Sequence, residues 1–321
     1  MEDCYSQNKY NVTTYNVLAM AILSLQTFAG MWINAFMVSV LCIAWVRKKS
    51  SNSNEKILLF LGWTRFWYLC IAWVCSIIEN IYPWCIYVRP VPQLILAFQT
   101  FFSCSSLWVS AFLSVFYCIK IANFQHSFFS HLKVKIDRIV PWVLLGSVLL
   151  SLGMGILLYK AIDEAVCDNI NCTTTGNFWK LNINVHQHFF PVYFITGFEY
   201  AIAFTAVISS ALLLLFSLWR HKHKMQMKSL KNVSMDAHIK AMKSILCFLF
   251  LYIINFICLF FNMIYFTEKG NALTLLTVVL QDTSPTVYCL ILIFSNPKLK
   301  KTLLRTLSCV KCKICMRQNM S

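Results

Sequence analysis

Residues 17–49 read VLAMAILSLQTFAGMWINAFMVSVLCIAWVRKK, an uncharged apolar run from Val17 to Val46 closed by the basic cluster Arg47-Lys48-Lys49. A helix rises 1.5 Å per residue, so about 20 apolar residues cross the hydrocarbon core of a bilayer. This run exceeds that requirement. Working outward from it, the same reading finds Ile57 to Ile78, Gln93 to Cys118, Ile139 to Tyr159, Pro191 to Ser217, Ala241 to Phe266 and Leu273 to Phe294. The fold class expected is an all-α membrane protein, a bundle of seven transmembrane helices forming a single domain over 1–321. A short segment, 1–16, precedes it, and a tail, 295–321, follows it.

The connections set the orientation. The segments 47–56, 119–138 and 218–240 and the tail, with Lys243 at the rim, carry 22 Lys/Arg against three acids, Glu55, Asp137 and Asp236. The alternate connections carry five basic residues and seven acids. By the positive-inside rule the N-terminus is expected outside and the C-terminus in the cytoplasm. The formal charge of +16 is therefore a sign of topology and of anionic membrane lipid, and does not imply nucleic acid. Plasma-membrane insertion as a multi-pass protein is expected, with the first helix serving as an uncleaved anchor, because 1–16 lacks a basic leader region.

Composition excludes much else. With 59% hydrophobic and 12% charged residues, little chain remains for a soluble domain, and the longest outer connection, from about Lys160 to Phe190, is too short to fold alone. The chain has no Gly-rich phosphate loop, nucleophile elbow or metal-protease helix, so no enzyme activity, cofactor or metal is expected. Asn11-Val12-Thr13 and Asn171-Cys172-Thr173 are glycosylation sequons on the expected outer side, whereas Asn232-Val233-Ser234 faces inward. Cys309, Cys312 and Cys315 repeat every three residues beside the basic amphipathic stretch Lys298 to Leu307. They are candidates for S-acylation, with free thiols as the alternative.

Three strongly polar residues lie inside the spans, where a buried charge costs several kcal/mol. Glu199 is eight residues into the fifth span and Asp282 nine into the seventh, so by helix rise both lie about 12–14 Å below the outer surface. That depth suits a small-molecule site between helices, with protonated, hydrogen-bonded carboxyls as the plainer reading. Arg65, in the second span, has five donors and needs several acceptors. Asn34 of the first span and a polar group of the seventh, including Asp282, are the candidate partners.

Local motifs narrow the class. Leu113-Ser114-Val115-Phe116-Tyr117-Cys118-Ile119-Lys120-Ile121-Ala122-Asn123-Phe124 closely resembles the signature at the inner end of helix 3 in the type 2 taste receptors, the bitter taste receptor family of G-protein-coupled receptors. Ser217-Leu218-Trp219-Arg220-His221, Ala237-His238-Ile239-Lys240-Ala241-Met242-Lys243 and Asn296-Pro297-Lys298-Leu299-Lys300 agree with that family, as do Gly30, Asn34 and Arg65. The resemblance runs from about Gly30 to Lys301. Gln99 and Ser103 stand where members commonly carry Trp and Asn, and Tyr288-Cys289 replaces the usual His-Ser.

The resemblance implies a chemosensory receptor for small bitter-type molecules, signalling through a heterotrimeric G protein of the gustducin or inhibitory type. Gln99, Ser103, Glu199 and Asp282 are then the candidate ligand contacts. The coupling surface falls on Tyr117, Lys120, Trp219, Arg220, His221, His238, Lys240 and Lys243, for which the alternative is a solvated basic rim. Many seven-helix receptors bridge the outer end of helix 3 to the second outer loop; here helix 3 opens at Gln93 without a cysteine, so Cys85 in the preceding loop is the nearest candidate to pair with Cys167 or Cys172, among the three complete pairings open to Cys4, Cys85, Cys167 and Cys172. A type 1 vomeronasal-like chemoreceptor is the nearest competing class. A small-solute transporter is the more distant one, since transporters favour inverted repeats and broken helices.

Overall fold

The computed structural model describes residues 2–48, 52–81, 90–121, 127–172, 181–226, 246–247, 249–258, 260–261, 272–296 and 299–308. Its elements are α1 (Glu2–Lys48), α2 (Ser53–Ile81), α3 (Val91–Ile121), α4 (Ser127–Cys172), α5 (Leu181–Gln226), α6 (Leu249–Cys258), α7 (Ala272–Ser295) and a final helix α8 over 299–308. Five of the expected spans are continuous helices long and apolar enough to cross a membrane; α6 and the 279–295 part of α7 are shorter apolar helices.

Helices α1, α4 and α5 run beyond their apolar stretches, α5 beginning at Leu181 and ending at Gln226. The sequence places 1–16 and 160–190 in connections, yet α1 begins at Glu2 and α4 continues to Cys172. Residues 2–29 and 160–172 contain neither Gly nor Pro, the residues that most often end a helix. A helix satisfies its own backbone, so it can persist where the side chains become polar.

The bundle is built around α3, which packs on α2, α4 and α5, while α1 lies against α2 and α7. Small residues permit the close approaches. A Cβ on Gly30 would sit 2.5 Å from Thr286 Oγ1 and 2.8 Å from Leu69 Cδ1, and one on Gly62 would sit 2.8 Å from Met37 Cε. Lipid tails are as apolar as leucine, so association here rests on such packing and on hydrogen bonds between helices.

Polarity is distributed as a bilayer demands. Leu25, Trp32, Val134, Trp142 and Phe194 point outward, whereas Asn34, Thr64, Arg65, Ser105, Ser110 and Ser151 are buried. One apolar cluster joins Met37 and Leu41 of α1, Leu58 and Leu61 of α2, Leu113 and Phe116 of α3, and Leu292 of α7. Leu299 and Leu303 of α8, one turn apart, belong to it and dock that helix on the bundle. Asn296 caps α8, its Oδ1 accepting from Leu299 N at 3.5 Å and its carbonyl from Lys300 N at 2.9 Å.

Candidate functional site

Arg65 anchors the interior. Its Nε donates to Ser106 Oγ at 3.1 Å, Nη2 to Ser110 Oγ at 2.9 Å and Nη1 to the Pro285 carbonyl at 3.4 Å. The Tyr288 ring lies under the guanidinium, 4.3 Å from its centre, in cation–π contact. Ser106 and Ser110 are four apart on α3 and so share one face. Of the two partners suggested by the sequence, a polar group of the seventh span is present as the Pro285 carbonyl, while Asn34 and Asp282 are engaged elsewhere. Asn34 donates to the Gly30 carbonyl of its own helix at 2.8 Å, and Arg65 joins α2 to α3 and α7 without α1. No Arg65–Asp282 pair forms either. Asp282 lies three residues from Pro285, about 4.5 Å along α7 by helix rise. There its Oδ1 accepts from the Tyr68 hydroxyl at 3.2 Å.

A cavity of about 70 Å³ opens between α2, α3, α5, α6 and α7. Arg65, Tyr68, Ser103, Ser106, Ser110, Tyr200, Tyr252, Asn255, Gln281, Ser284 and Tyr288 bring polar groups to a wall that is mostly apolar in area, with Leu107, Leu251 and Pro285 completing it. Of the four sequence candidates for ligand contact, Ser103 lines this cavity. Asp282 reaches it through Tyr68. Gln99, half-buried on α3, lies a turn above Ser103. Glu199 is buried on α5 and accepts from Cys104 Sγ at 3.7 Å. The Trp108 indole N–H lies towards the same carboxylate and is buried without a hydrogen-bond partner.

The wall contains residues that sequence reasoning passed over: Tyr68, Tyr200, Tyr252, Ser106 and Ser110. Tyrosines recurring within apolar spans were the available sign, because a buried hydroxyl needs a partner.

At the opposite end of α3, Lys120 Nζ pairs with Asp137 of α4 at 2.9 Å and lies 5.1 Å from the Phe116 ring centre. Tyr117, Lys120 and Asp137 line a cleft with Asn52, Ser53 and Asn54 at the start of α2. Trp219 and Arg220 are exposed at the end of α5, the Trp219 ring 6.3 Å from that of Phe216. His221 continues the same helix, with no side chain described. The other expectations rest on less. Asn11 is on α1, and Cys167, Asn171 and Cys172 are on α4, all without described side chains. Cys85, His238, Lys240, Lys243, Cys309, Cys312 and Cys315 lie outside the described residues.

Helices that are apolar outward and bury polar side chains inward, packed around a cavity that carries polar groups, define a multi-pass helical membrane protein with an interior site. A family model described as taste receptor protein (TAS2R) matches residues 12–311, and the chain belongs to that family. Among its relatives, taste receptor type 2 member 9 of Papio hamadryas is 29% identical over 314 residues, covering 93% of this chain and 96% of that one. Taste receptor type 2 member 7 of the same animal is 30% identical over 281 residues, covering 85% and 87%. Member 41 of Rattus norvegicus is 30% identical over 298 residues, covering 91% and 95%. The family implies a seven-helix bundle, multi-pass in the plasma membrane, and is one of receptors, not enzymes.

Proposed function

We propose that this chain is a bitter-type chemosensory receptor. Its N-terminus lies outside, and it signals through a heterotrimeric G protein of the gustducin or inhibitory type. The observation that carries the reading is the cavity of a taste receptor family member, lined by polar and apolar side chains of α2, α3, α5, α6 and α7. A small amphipathic molecule enters the outer half of the bundle, near Gln99, Ser103, Glu199 and Asp282. It shifts the population towards an arrangement in which α5 and α6 separate at their inner ends, by as much as its affinity differs between the two states. Charge alternation supports the orientation.

Coupling is assigned to the inner ends of α3, α5 and the segment entering α6, with Tyr117, Lys120, Trp219, Arg220, His221, His238, Lys240 and Lys243. Basic side chains there complement acidic and carboxyl-terminal groups of a G protein. Lys120 is held by Asp137, and coupling through it requires that pair to open. The pair is half-exposed, so opening it is inexpensive.

The test is a calcium-release screen of diverse bitter compounds in cells expressing the chain with a promiscuous G protein. Agonist-evoked release is expected. Neutralising Lys120 or Lys240 abolishes it while agonist binding and surface delivery persist, and neutralising Lys48 and Lys49 has little effect. Equal behaviour of the two sets of variants assigns the basic residues to topology alone.

A further inference from the structure

Arg65 is a cation buried in the middle of the bundle, 4% exposed, and its guanidinium stays protonated. Such a charge is costly in a membrane interior unless something offsets it. Three of its five N–H donors are satisfied, by Ser106, Ser110 and the Pro285 carbonyl. Those acceptors and the Tyr288 ring are neutral: they orient dipoles toward the cation and bring no net charge. Among the described residues no carboxylate forms an ion pair with it. Asp282, the acidic residue of α7, is engaged by Tyr68 instead.

The guanidinium lines the interior cavity of about 70 Å³, several times the roughly 10–15 Å³ that one water requires. Across it stands Tyr252 of α6, 9% exposed, whose hydroxyl is buried with no hydrogen-bond partner. A buried donor left unsatisfied is destabilising. Asn255, one turn along α6, adds an amide to the same wall. A cation short of counter-charge and an unpartnered O–H therefore share one small chamber. We propose that this chamber binds a small monovalent anion of the halide class, seated between the Arg65 guanidinium and the Tyr252 hydroxyl. Chloride, the abundant halide on both sides of a cell membrane, is the physiological occupant. The ion offsets the buried charge and ties α6 to α2, α3 and α7.

The full-length receptor, purified into lipid nanodiscs, tests this by thermal unfolding as chloride is replaced with gluconate at constant sodium and ionic strength. A ligand that binds only the folded state raises the melting temperature in a saturable way. The rise expected is about 3 °C, given by chloride and bromide and not by the bulkier gluconate. Arg65→Ala threatens folding itself, so the discriminating variants are Tyr252→Phe, which keeps the ring and loses the hydroxyl, and Ser110→Ala. Tyr252→Phe should move the chloride midpoint about fivefold higher, and Ser110→Ala, by releasing the guanidinium from its seat, should raise it as well. Equal melting temperatures in chloride and gluconate would show a chamber filled by water and overturn the proposal. So would a chloride effect of unchanged midpoint in both variants, which would mark an adventitious ion only.

Discussion

Arg65 ties three helices together, since three inter-helix hydrogen bonds and a ring contact converge on it. Arg65→Ala leaves Ser106, Ser110 and the Pro285 carbonyl without their donor, at about 1–3 kcal/mol for each buried group. The variant is expected to reach the cell surface at a small fraction of the normal level, with responses to all agonists falling together. Flow cytometry against an N-terminal tag measures this, and normal surface levels with unchanged signalling would contradict a structural role. Glu199 accepts weakly from Cys104 and faces the Trp108 indole, neutral groups that a cationic ligand can outcompete for the carboxylate. Glu199→Gln should raise the half-maximal concentration of cationic agonists about tenfold, roughly 1.4 kcal/mol, and leave neutral agonists little changed. Concentration–response curves at matched surface expression decide it, and equal shifts for every agonist would assign Glu199 to helix packing.

The helices themselves were largely legible in the sequence, because hydropathy and length report what lipid demands of each segment alone. The span Leu273 to Phe294 and the helix Ala272–Ser295 agree closely. Helix ends in polar sequence were not legible, as α1 before Val17 and α4 after Tyr159 show, since no hydropathy change marks where a polar helix stops. Nor were the partners of Arg65. Ser106 and Ser110 look like ordinary small residues until α2 and α3 are brought together, and only their shared face in space makes them acceptors. The contacts of α1 give a sharper test at this scale. Gly30→Val places methyl groups where Thr286 and Leu69 already sit and should cost about 1–3 kcal/mol. Gly146, with nothing within 4 Å of an added Cβ, should accept Ala with a gain of up to about 1 kcal/mol. Thermal unfolding of the purified protein separates the two, and equal effects would mean that α1 does not pack as described.

Across the whole molecule, the proposed orientation makes Asn171 and Asn11 accessible to glycosylation and keeps Asn232 bare. Glycosidase-sensitive mobility should be lost in the Asn11→Gln, Asn171→Gln double variant. If it persists there and disappears in Asn232→Gln, the bundle is inverted. The middle of α3 and its C-terminal end frame the proposed mechanism. Around the first lies the cavity shared by Arg65, Ser103 and Tyr252, and at the second the cleft where Lys120 meets Asp137. Receptor function requires that occupancy of the first change what the second presents, and this is directly measurable. Purified receptor in nanodiscs is mixed with an inhibitory-type heterotrimer, and guanine-nucleotide exchange is followed with and without a compound found in the calcium screen. The account predicts that the compound accelerates exchange in a saturable way and that Lys120→Ala removes the acceleration without weakening binding of the compound. Exchange at the same rate with the receptor fully occupied would contradict it.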